Sequence, residues 1–211
     1  MTKTIKDSAL VVVDMLYDFI DGSLACMHSE EAVAGTLKFI DGITAGQESD
    51  EACILDTYPI LFIRDHHPAD HSSFKEYGGT WPPHCVQGTH GGEIHKDLMP
   101  YVKEELTFDK GCDPAAEQYS GFEGVNAAGQ SLGEILELLD IRDVYVCGIA
   151  TEYCVRNTCE DLLKAGFNVH LLTDCIGYVD HAGHLKALDA MQKEGIDISP
   201  NFQIKPRQIS K

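Results

Sequence analysis

Short apolar runs that alternate with amphipathic stretches constrain the fold of this chain more than any other feature. The runs lie at residues 9–13, 60–63, 106–108, 144–149 and 169–172. The first, fourth and fifth are continuous and β-branched, which is typical of strands buried on both faces of a sheet. The alternation predicts an α/β fold in which helices flank both faces of a parallel, doubly wound sheet.

Helical spacing occurs between these runs. Ser131 and Glu134 form the pattern of a capping box, and the residues that follow recur at i, i+3, i+4 and i+7: Leu132, Ile135, Leu136 and Leu139. A helix is predicted around Cys154, and Gly166 suits its end. A last helix is predicted after Asp180, with an apolar face of Leu185, Leu188 and Met191.

Residues 68–100 break the alternation, because they have almost no apolar periodicity and are rich in Gly, Pro and His. Long loops of this kind are usually functional or disordered. Trp81, the only tryptophan, lies in this loop, which favours a functional loop over a disordered one. We predict a single domain over residues 1–211, with a metal-binding loop insertion at about residues 65–100.

Charge and cysteine usage narrow the class of partner. The net charge of −18 argues against binding to nucleic acid or anionic lipid and favours a small neutral molecule. No apolar run approaches the length of a membrane span, and we predict a cytoplasmic protein. The eight scattered cysteines include no CxxC pair and are predicted to be free thiols. The sequence leaves a homo-oligomeric state open.

Polar side chains follow the ends of several predicted strands. Asp14 follows the first run, residues 64–67 the second, Lys110 the third and Cys154 the fourth. Ligands of open α/β sheets bind beyond the carboxyl ends of the strands. We therefore expect a carboxylate, a metal site, a lysine and a thiol to meet at one edge of the sheet.

Cys154 has a position suited to a nucleophile. Thr151 is predicted to cap a helix whose first turn contains Cys154, and a helix N-terminus lowers the pKa of a thiol. Asp14 would take the thiol proton and return it to a leaving amine, and Lys110 would hold that carboxylate. The alternatives are a buried structural cysteine and an ordinary salt bridge at the sheet edge.

Asp65, His67 and His84 have the chemistry of metal ligands. The D-x-H spacing places two donors on one side of an extended segment, and two prolines stiffen the backbone before His84. Two imidazoles and one carboxylate leave coordination positions open, as catalytic sites do. The alternative is a set of solvated loop histidines, since four others lie nearby: His66, His71, His90 and His95.

The motifs together resemble a known family over nearly the whole chain. They are residues 9–15 with Asp18-Phe19, D-x-H-P at 65–68, W-P-P-H at 81–84, Lys110-Gly111, and G-I-A-T-E-Y-C-V at 148–155. In this order they resemble the isochorismatase-like cysteine hydrolases. The D-x-H and W-P-P-H segments are similar to those of the nicotinamidase and pyrazinamidase branch.

The resemblance implies a role for each matching residue. Asp14 would be the general base and acid, Lys110 its cationic partner and Cys154 the nucleophile. Phe19 and Trp81 would sandwich a pyridine ring. The N–H groups of Ala150 and Cys154 would form an oxyanion hole after a cis peptide at 149–150. The metal would be zinc, or iron or manganese as in some members, and Ser73, His71 or Glu76 are alternatives for completing its shell.

The resemblance also implies an activity. It implies hydrolysis of nicotinamide to nicotinate and ammonia through a thioester, with pyrazinamide as a further substrate and NAD salvage as the pathway. The chain departs from the family at Leu16-Tyr17, where many members have Gln-Asn, and at His66, where an aromatic residue is usual. Two alternatives are an amidase for carbamoyl or ureido groups and a non-catalytic metal-binding protein.

Overall fold

Six strands form one parallel sheet in the computed structural model, which describes residues 7–44 and 58–199. They are β1 (Ser8–Val13), β2 (Ile60–Asp65), β3 (Thr107–Lys110), β4 (Asp143–Gly148), β5 (Asn168–Ile176) and β6 (Asp197–Ser199). Their order is β3-β2-β1-β4-β5-β6, and every neighbouring pair is parallel. The prediction of a doubly wound parallel sheet is confirmed. The predicted domain 1–211 extends beyond the described ranges and stays a prediction.

Helices lie on both faces of the sheet. They are α1 (Tyr17–Ile20), α2 (Ser29–Thr44), α3 (Leu132–Leu138), α4 (Arg156–Lys164) and α5 (His181–Glu194), and a π-helical turn at Thr151–Val155 leads into α4. The capping box is confirmed, because Ser131 Oγ accepts from Glu134 N at 3.2 Å and Glu134 Oε2 accepts from Ser131 N at 2.7 Å. Gly166, at φ +96°, follows the end of α4.

Two residues of the predicted apolar helix faces are exposed. Leu139 is 41 % exposed and directly follows the end of α3. Leu185 is 53 % exposed, whereas Met191 of the same predicted face is buried together with Ala187. An apolar side chain at helical spacing is therefore not always one that packs on the sheet.

The core has two halves, one on each side of the sheet. Alternate residues of β1 point to opposite faces: Ala9, Val11 and Val13 pack with α3, α4 and α5, whereas Leu10 and Val12 pack with α2. This burial on both sides explains why β1 reads as a continuous apolar run.

The long connection between β2 and β3 contains only short 3-10 turns, at Lys75–Tyr77, His90–Gly92, Met99–Tyr101 and Glu104–Leu106. It nevertheless packs closely, since Phe74, His84 and Leu98 are buried. Within residues 7–44 and 58–199, every helix is too short or too polar to cross a bilayer. The seven cysteines in these ranges are free thiols, as predicted, and Cys53 lies outside them.

Candidate active site

The sheet order places the candidate site between β1 and β4. Helices before and after this point cover opposite faces of the sheet, so the loops that leave β1 and β4 diverge and open a crevice. Asp14 follows β1, and the π-turn with Cys154 follows β4. Asp65 ends β2 and Lys110 ends β3. All four predicted side chains therefore come together at the carboxyl edge of the sheet.

Lys110 is the centre of this group. Its Nζ lies 2.9 Å from Asp14 Oδ2 and 3.5 Å from Cys154 Sγ, and it also donates to Asp65 Oδ1. Asp14 Oδ1 accepts from the backbone N–H of Asp65 at 2.9 Å. One carboxylate oxygen each from Asp14 and Asp65 lies within 4.8 Å of Cys154 Sγ. All four side chains are buried, so the charges interact with little screening by water.

Burial sets the protonation of this group. It raises the pKa of the Cys154 thiol well above its usual range; Lys110 opposes this shift, while Asp14 and Asp65 add to it. Burial also raises the pKa of Asp14 to about 6, with Lys110 again opposing. The expected lowering of the Cys154 pKa is therefore wrong for the free protein. At neutral pH the thiol keeps its proton beside a largely ionised carboxylate.

The turn that carries Cys154 is built differently from the predicted cap. Thr151 is the first residue of the π-turn, and its Oγ1 donates to the Gly177 carbonyl at 2.8 Å instead of capping a helix. The peptide Ile149–Ala150 is cis, as the family resemblance implies. Gly148 precedes it at φ +129°, where an added Cβ would lie 2.0 Å from the Val13 carbonyl oxygen. Only glycine fits this approach of β4 to β1.

Asp65, His67 and His84 form one cluster of metal-ligand atoms, all within 4.8 Å of one another and all buried. Asp65 Oδ2 lies 3.4 Å from His67 Nε2 and 3.9 Å from His84 Nε2. His67 Nδ1 donates to the Gly111 carbonyl at 2.9 Å, and His84 Nδ1 donates to the Pro82 carbonyl at 2.8 Å. These bonds leave both Nε2 lone pairs facing the cluster.

The charge of the site also fits a cation. Asp14 and Asp65 carry two negative charges when ionised, and Lys110 supplies one positive charge. Buried charges are costly unless they are compensated. These three groups leave one net negative charge, which favours a bound cation, and two imidazoles with a carboxylate are ligands that zinc and similar metals prefer.

The other candidate ligands near the cluster make separate contacts. His66 Nδ1 is 2.7 Å from Asp109 Oδ2, within an ion cluster that includes Arg64. His71 has Ser73 Oγ 2.7 Å from its Nδ1 and the Ala116 carbonyl 3.1 Å from its Nε2, so protein groups face both ring nitrogens. Glu76 is exposed. Neither His71 nor Glu76 belongs to the ligand cluster, and Ser73 stays an alternative for completing the metal shell.

A cavity of about 360 Å³, open to solvent, lies above Cys154. Phe19, Trp81, Asp65, His84 and Ala150 line it together with Cys154. The sequence reasoning missed its other lining residues, which are Leu24, Cys26, Glu117, Tyr119, Tyr153 and Val179.

The missed aromatic residues extend the wall that Trp81 forms. Tyr153 packs edge-on against Trp81 with ring centroids 5.1 Å apart, and Trp81 Nε1 donates to Tyr119 Oη at 3.2 Å. Tyr153 directly precedes the predicted nucleophile, and this position in the sequence could have indicated that it lines the cavity. The cavity thus offers an aromatic slot with a thiol at its floor and a cation site at its side.

Comparison with known proteins places the sequence of this chain in one family. Residues 8–200 match the family model of the isochorismatase domain. The chain is similar to the nicotinamidase/pyrazinamidase of Mycobacterium tuberculosis, with 33 % identity over 193 residues that cover 90 % of this chain and 97 % of that protein.

Solved structures agree with this match. The chain is similar to the pyrazinamidase of Pyrococcus horikoshii in complex with zinc, at 37 % identity and a TM-score of 0.79, over 92 % of this chain and 99 % of that one. It is also similar to PnC1 from L. infantum in complex with nicotinate, at 32 % identity and a TM-score of 0.76, over 95 % and 96 % of the two chains.

Proposed function

This chain belongs to the isochorismatase family, and we propose that it is a nicotinamidase that hydrolyses nicotinamide to nicotinate and ammonia. One observation carries this function: Cys154 lies beside Asp14 and Lys110 at the floor of an aromatic cavity that the metal-ligand cluster also borders. The relatives named for nicotinamide and pyrazinamide hydrolysis support the same assignment.

Asp14 moves the protons of the reaction. Its carboxylate takes the proton from Cys154 Sγ, and the sulfur attacks the carboxamide carbon. Ammonia leaves when Asp14 returns that proton to the amide nitrogen, which gives a thioester on Cys154. Asp14 then takes a proton from water, and the hydroxide attacks the thioester. The proton returns to Sγ as the C–S bond breaks, and the product leaves as nicotinic acid, which ionises to nicotinate in solution.

Lys110 keeps these charges in place. Its ammonium stays protonated, because burial lowers its pKa but the carboxylates of Asp14 and Asp65 outweigh that and raise it well above its usual value. The positive charge also stabilises the thiolate at 3.5 Å while it forms.

We assign the oxyanion hole to the backbone N–H groups of Ala150 and Cys154. Both residues line the cavity, and the cis peptide at Ile149–Ala150 turns the chain there. A preorganised donor of this type is worth on the order of 10²-fold in rate.

Substrate orientation falls to the aromatic walls and the ligand cluster. Phe19 and Trp81 are proposed to hold the pyridine ring between them, and both line the cavity. Asp65, His67 and His84 would hold the metal, most simply zinc, as in the P. horikoshii complex. When bound, the metal would supply a positive charge that attracts the lone pair of the ring nitrogen.

Three further points are proposals. Pyrazinamide is a second substrate, since its ring and carboxamide have the size and donor pattern of nicotinamide. The enzyme works in the cytoplasm, where its free thiols stay reduced. Its physiological role is NAD salvage.

Release of ammonia and nicotinate from nicotinamide by zinc-loaded protein tests the function. Cys154→Ala should abolish turnover and retain zinc, because the thiol is absent from the ligand cluster of Asp65, His67 and His84. Cys112→Ala, which removes an exposed thiol, is the matched control and should keep full activity. A Cys154→Ala protein that still releases ammonia would contradict the nucleophile assignment.

A further inference from the structure

Asp18 contacts the loop of the candidate metal centre, although it lines neither the cavity nor the ligand cluster. It lies in α1 and is half-buried. Its Oδ2 accepts from the backbone N–H of Cys85 at 2.7 Å, and its Oδ1 accepts from the backbone N–H of Ser23 at 3.0 Å. Both carboxylate oxygens are therefore engaged by the backbones of two separate loops.

The Cys85 peptide connects Asp18 to both candidate histidine ligands. His84 directly precedes Cys85 in the chain. The Cys85 carbonyl accepts from the backbone N–H of His67 at 3.1 Å. A displacement of Cys85 would thus be passed to one imidazole through a covalent bond and to the other through a hydrogen bond.

Cys85 needs such support because its backbone is strained. It has φ +48°, in the left-handed region that favours glycine, and its side chain is fully buried. A residue other than glycine is disfavoured in this conformation and persists in it only when its surroundings hold it. The charged acceptor of Asp18 provides a strong hydrogen bond at this point.

A second connection ties the same two loops. Ser23 Oγ donates to the Pro83 carbonyl at 2.7 Å, and His84 Nδ1 donates to the adjacent Pro82 carbonyl. Gly91 packs directly on Asp18, where an added Cβ would lie 2.0 Å from Oδ2. The carboxylate of Asp18 therefore sits in a space that the surrounding backbone leaves open for it.

We infer that Asp18 is a positioning residue that holds the Pro82–Cys85 segment, and through it aims His84 and His67 at the metal. This inference rests on the proposed metal site of the nicotinamidase. The carboxylate acts only through hydrogen bonds to backbone N–H groups, and it touches neither the substrate cavity nor the ligand atoms.

Zinc affinity measured by competition with a chromogenic chelator tests the inference directly. Asp18→Asn leaves one acceptor for two N–H groups, and zinc should bind about 10- to 100-fold more weakly. Asp180→Asn is the matched control, because Asp180 also accepts a backbone N–H, from Gly183 at 2.7 Å, but caps α5. It should bind zinc as the wild type does.

Two milder variants keep the test informative if Asp18→Asn folds poorly. Gly91→Ala should displace the carboxylate of an intact Asp18 and weaken zinc binding in the same way. Ser23→Ala, which removes only the bond to Pro83, should weaken it severalfold. Saturating zinc should restore most of the turnover of each variant, which a general loss of packing would not allow.

The outcomes separate the two proposals. Wild-type zinc affinity in all three variants would overturn the role of Asp18 and leave the nicotinamidase function intact. The role of Asp18 would also be overturned if a variant bound zinc more weakly and saturating zinc did not restore its turnover. A wild-type protein that neither binds zinc nor hydrolyses nicotinamide would overturn the proposed function and the inference together.

Discussion

A basic side chain lies between two aspartates both where the parallel strands end, the carboxyl edge of the sheet, and where they begin, its amino edge. Only the carboxyl edge forms a candidate active site. At the carboxyl edge, Lys110 lies between Asp14 and Asp65, and all three are buried. At the amino edge, His170 Nε2 lies 2.8 Å from Asp143 Oδ1, and its Nδ1 lies 3.0 Å from Asp197 Oδ2.

The two clusters differ in solvent exposure and in the groups that surround them. The Asp197 side chain is 53 % exposed, so water screens its charge, and Tyr145 stacks on His170 with ring centroids 4.7 Å apart. At the carboxyl edge the charged side chains are buried, and a thiol and a cavity adjoin them. A cluster of charged residues thus becomes reactive where burial leaves its charges unscreened beside a space for a ligand.

Removal of the Lys110 cation should produce the largest difference between the two edges. Lys110→Met leaves two buried carboxylates without their partner, which costs about 3–5 kcal/mol of unfolding free energy and should abolish turnover. Urea unfolding and ammonia release measure the two effects. Near-normal stability would mean that the carboxyl edge is as well solvated as the amino edge.

Glycine substitutions should show the same contrast in backbone packing. Gly148→Ala, at the carboxyl edge, drives a Cβ into the Val13 carbonyl and should cost about 3 kcal/mol or more. Gly166→Ala, before β5 at the amino edge, meets no atom within 4 Å and should cost about 1–2 kcal/mol for its positive φ. Equal losses in thermal unfolding would show that space at Gly148 is not limiting.

Metal removal should affect the carboxyl edge alone. Free zinc at about 100 times its dissociation constant should stabilise the protein by about 2.7 kcal/mol, so chelation should lower Tm and stop turnover until zinc is restored. His170→Ala should keep one zinc per chain and the same response to chelation. A loss of zinc in His170→Ala would instead indicate that a metal site lies at the amino edge.

The smallest effect is expected at the amino edge itself. His170→Asn removes hydrogen bonds to two aspartates and should cost about 1–2 kcal/mol, with turnover of nicotinamide unchanged. Calorimetry and ammonia release on the same preparation check this. Reduced turnover in a fully folded variant would show that the two edges are coupled through the sheet.

Much of this arrangement was predictable from local sequence patterns. The apolar runs predicted five of the six strands, and the polar residues that follow them predicted the meeting of Asp14, Lys110 and Cys154. The three-residue strand β6 is too short to leave a periodic signal. Leu139 and Leu185 lie on the predicted apolar faces but are exposed, because periodicity does not report how far the surface beneath a helix extends.

Other features of the site depended on contacts between distant parts of the chain. Tyr119 and Tyr153 form a wall with Trp81 only because three loops meet over Cys154. Thr151 bonds to Gly177 because the loop after β5 passes beside the π-turn. The position of Thr151 in the sequence suggested a capping role. The sequence alone cannot show which carbonyl group a folded loop brings near its hydroxyl.

The sequence by itself determined the alternation of strands and helices, because burial on two faces of a sheet requires a local pattern of apolar residues. That alternation also determined the edge of the sheet at which the reactive residues would gather. Only the tertiary structure decided the protonation of Cys154 and Asp14 and the strained support of Cys85 by Asp18. These depend on desolvation and on single atoms of residues far apart in the chain, and no local pattern encodes such distances.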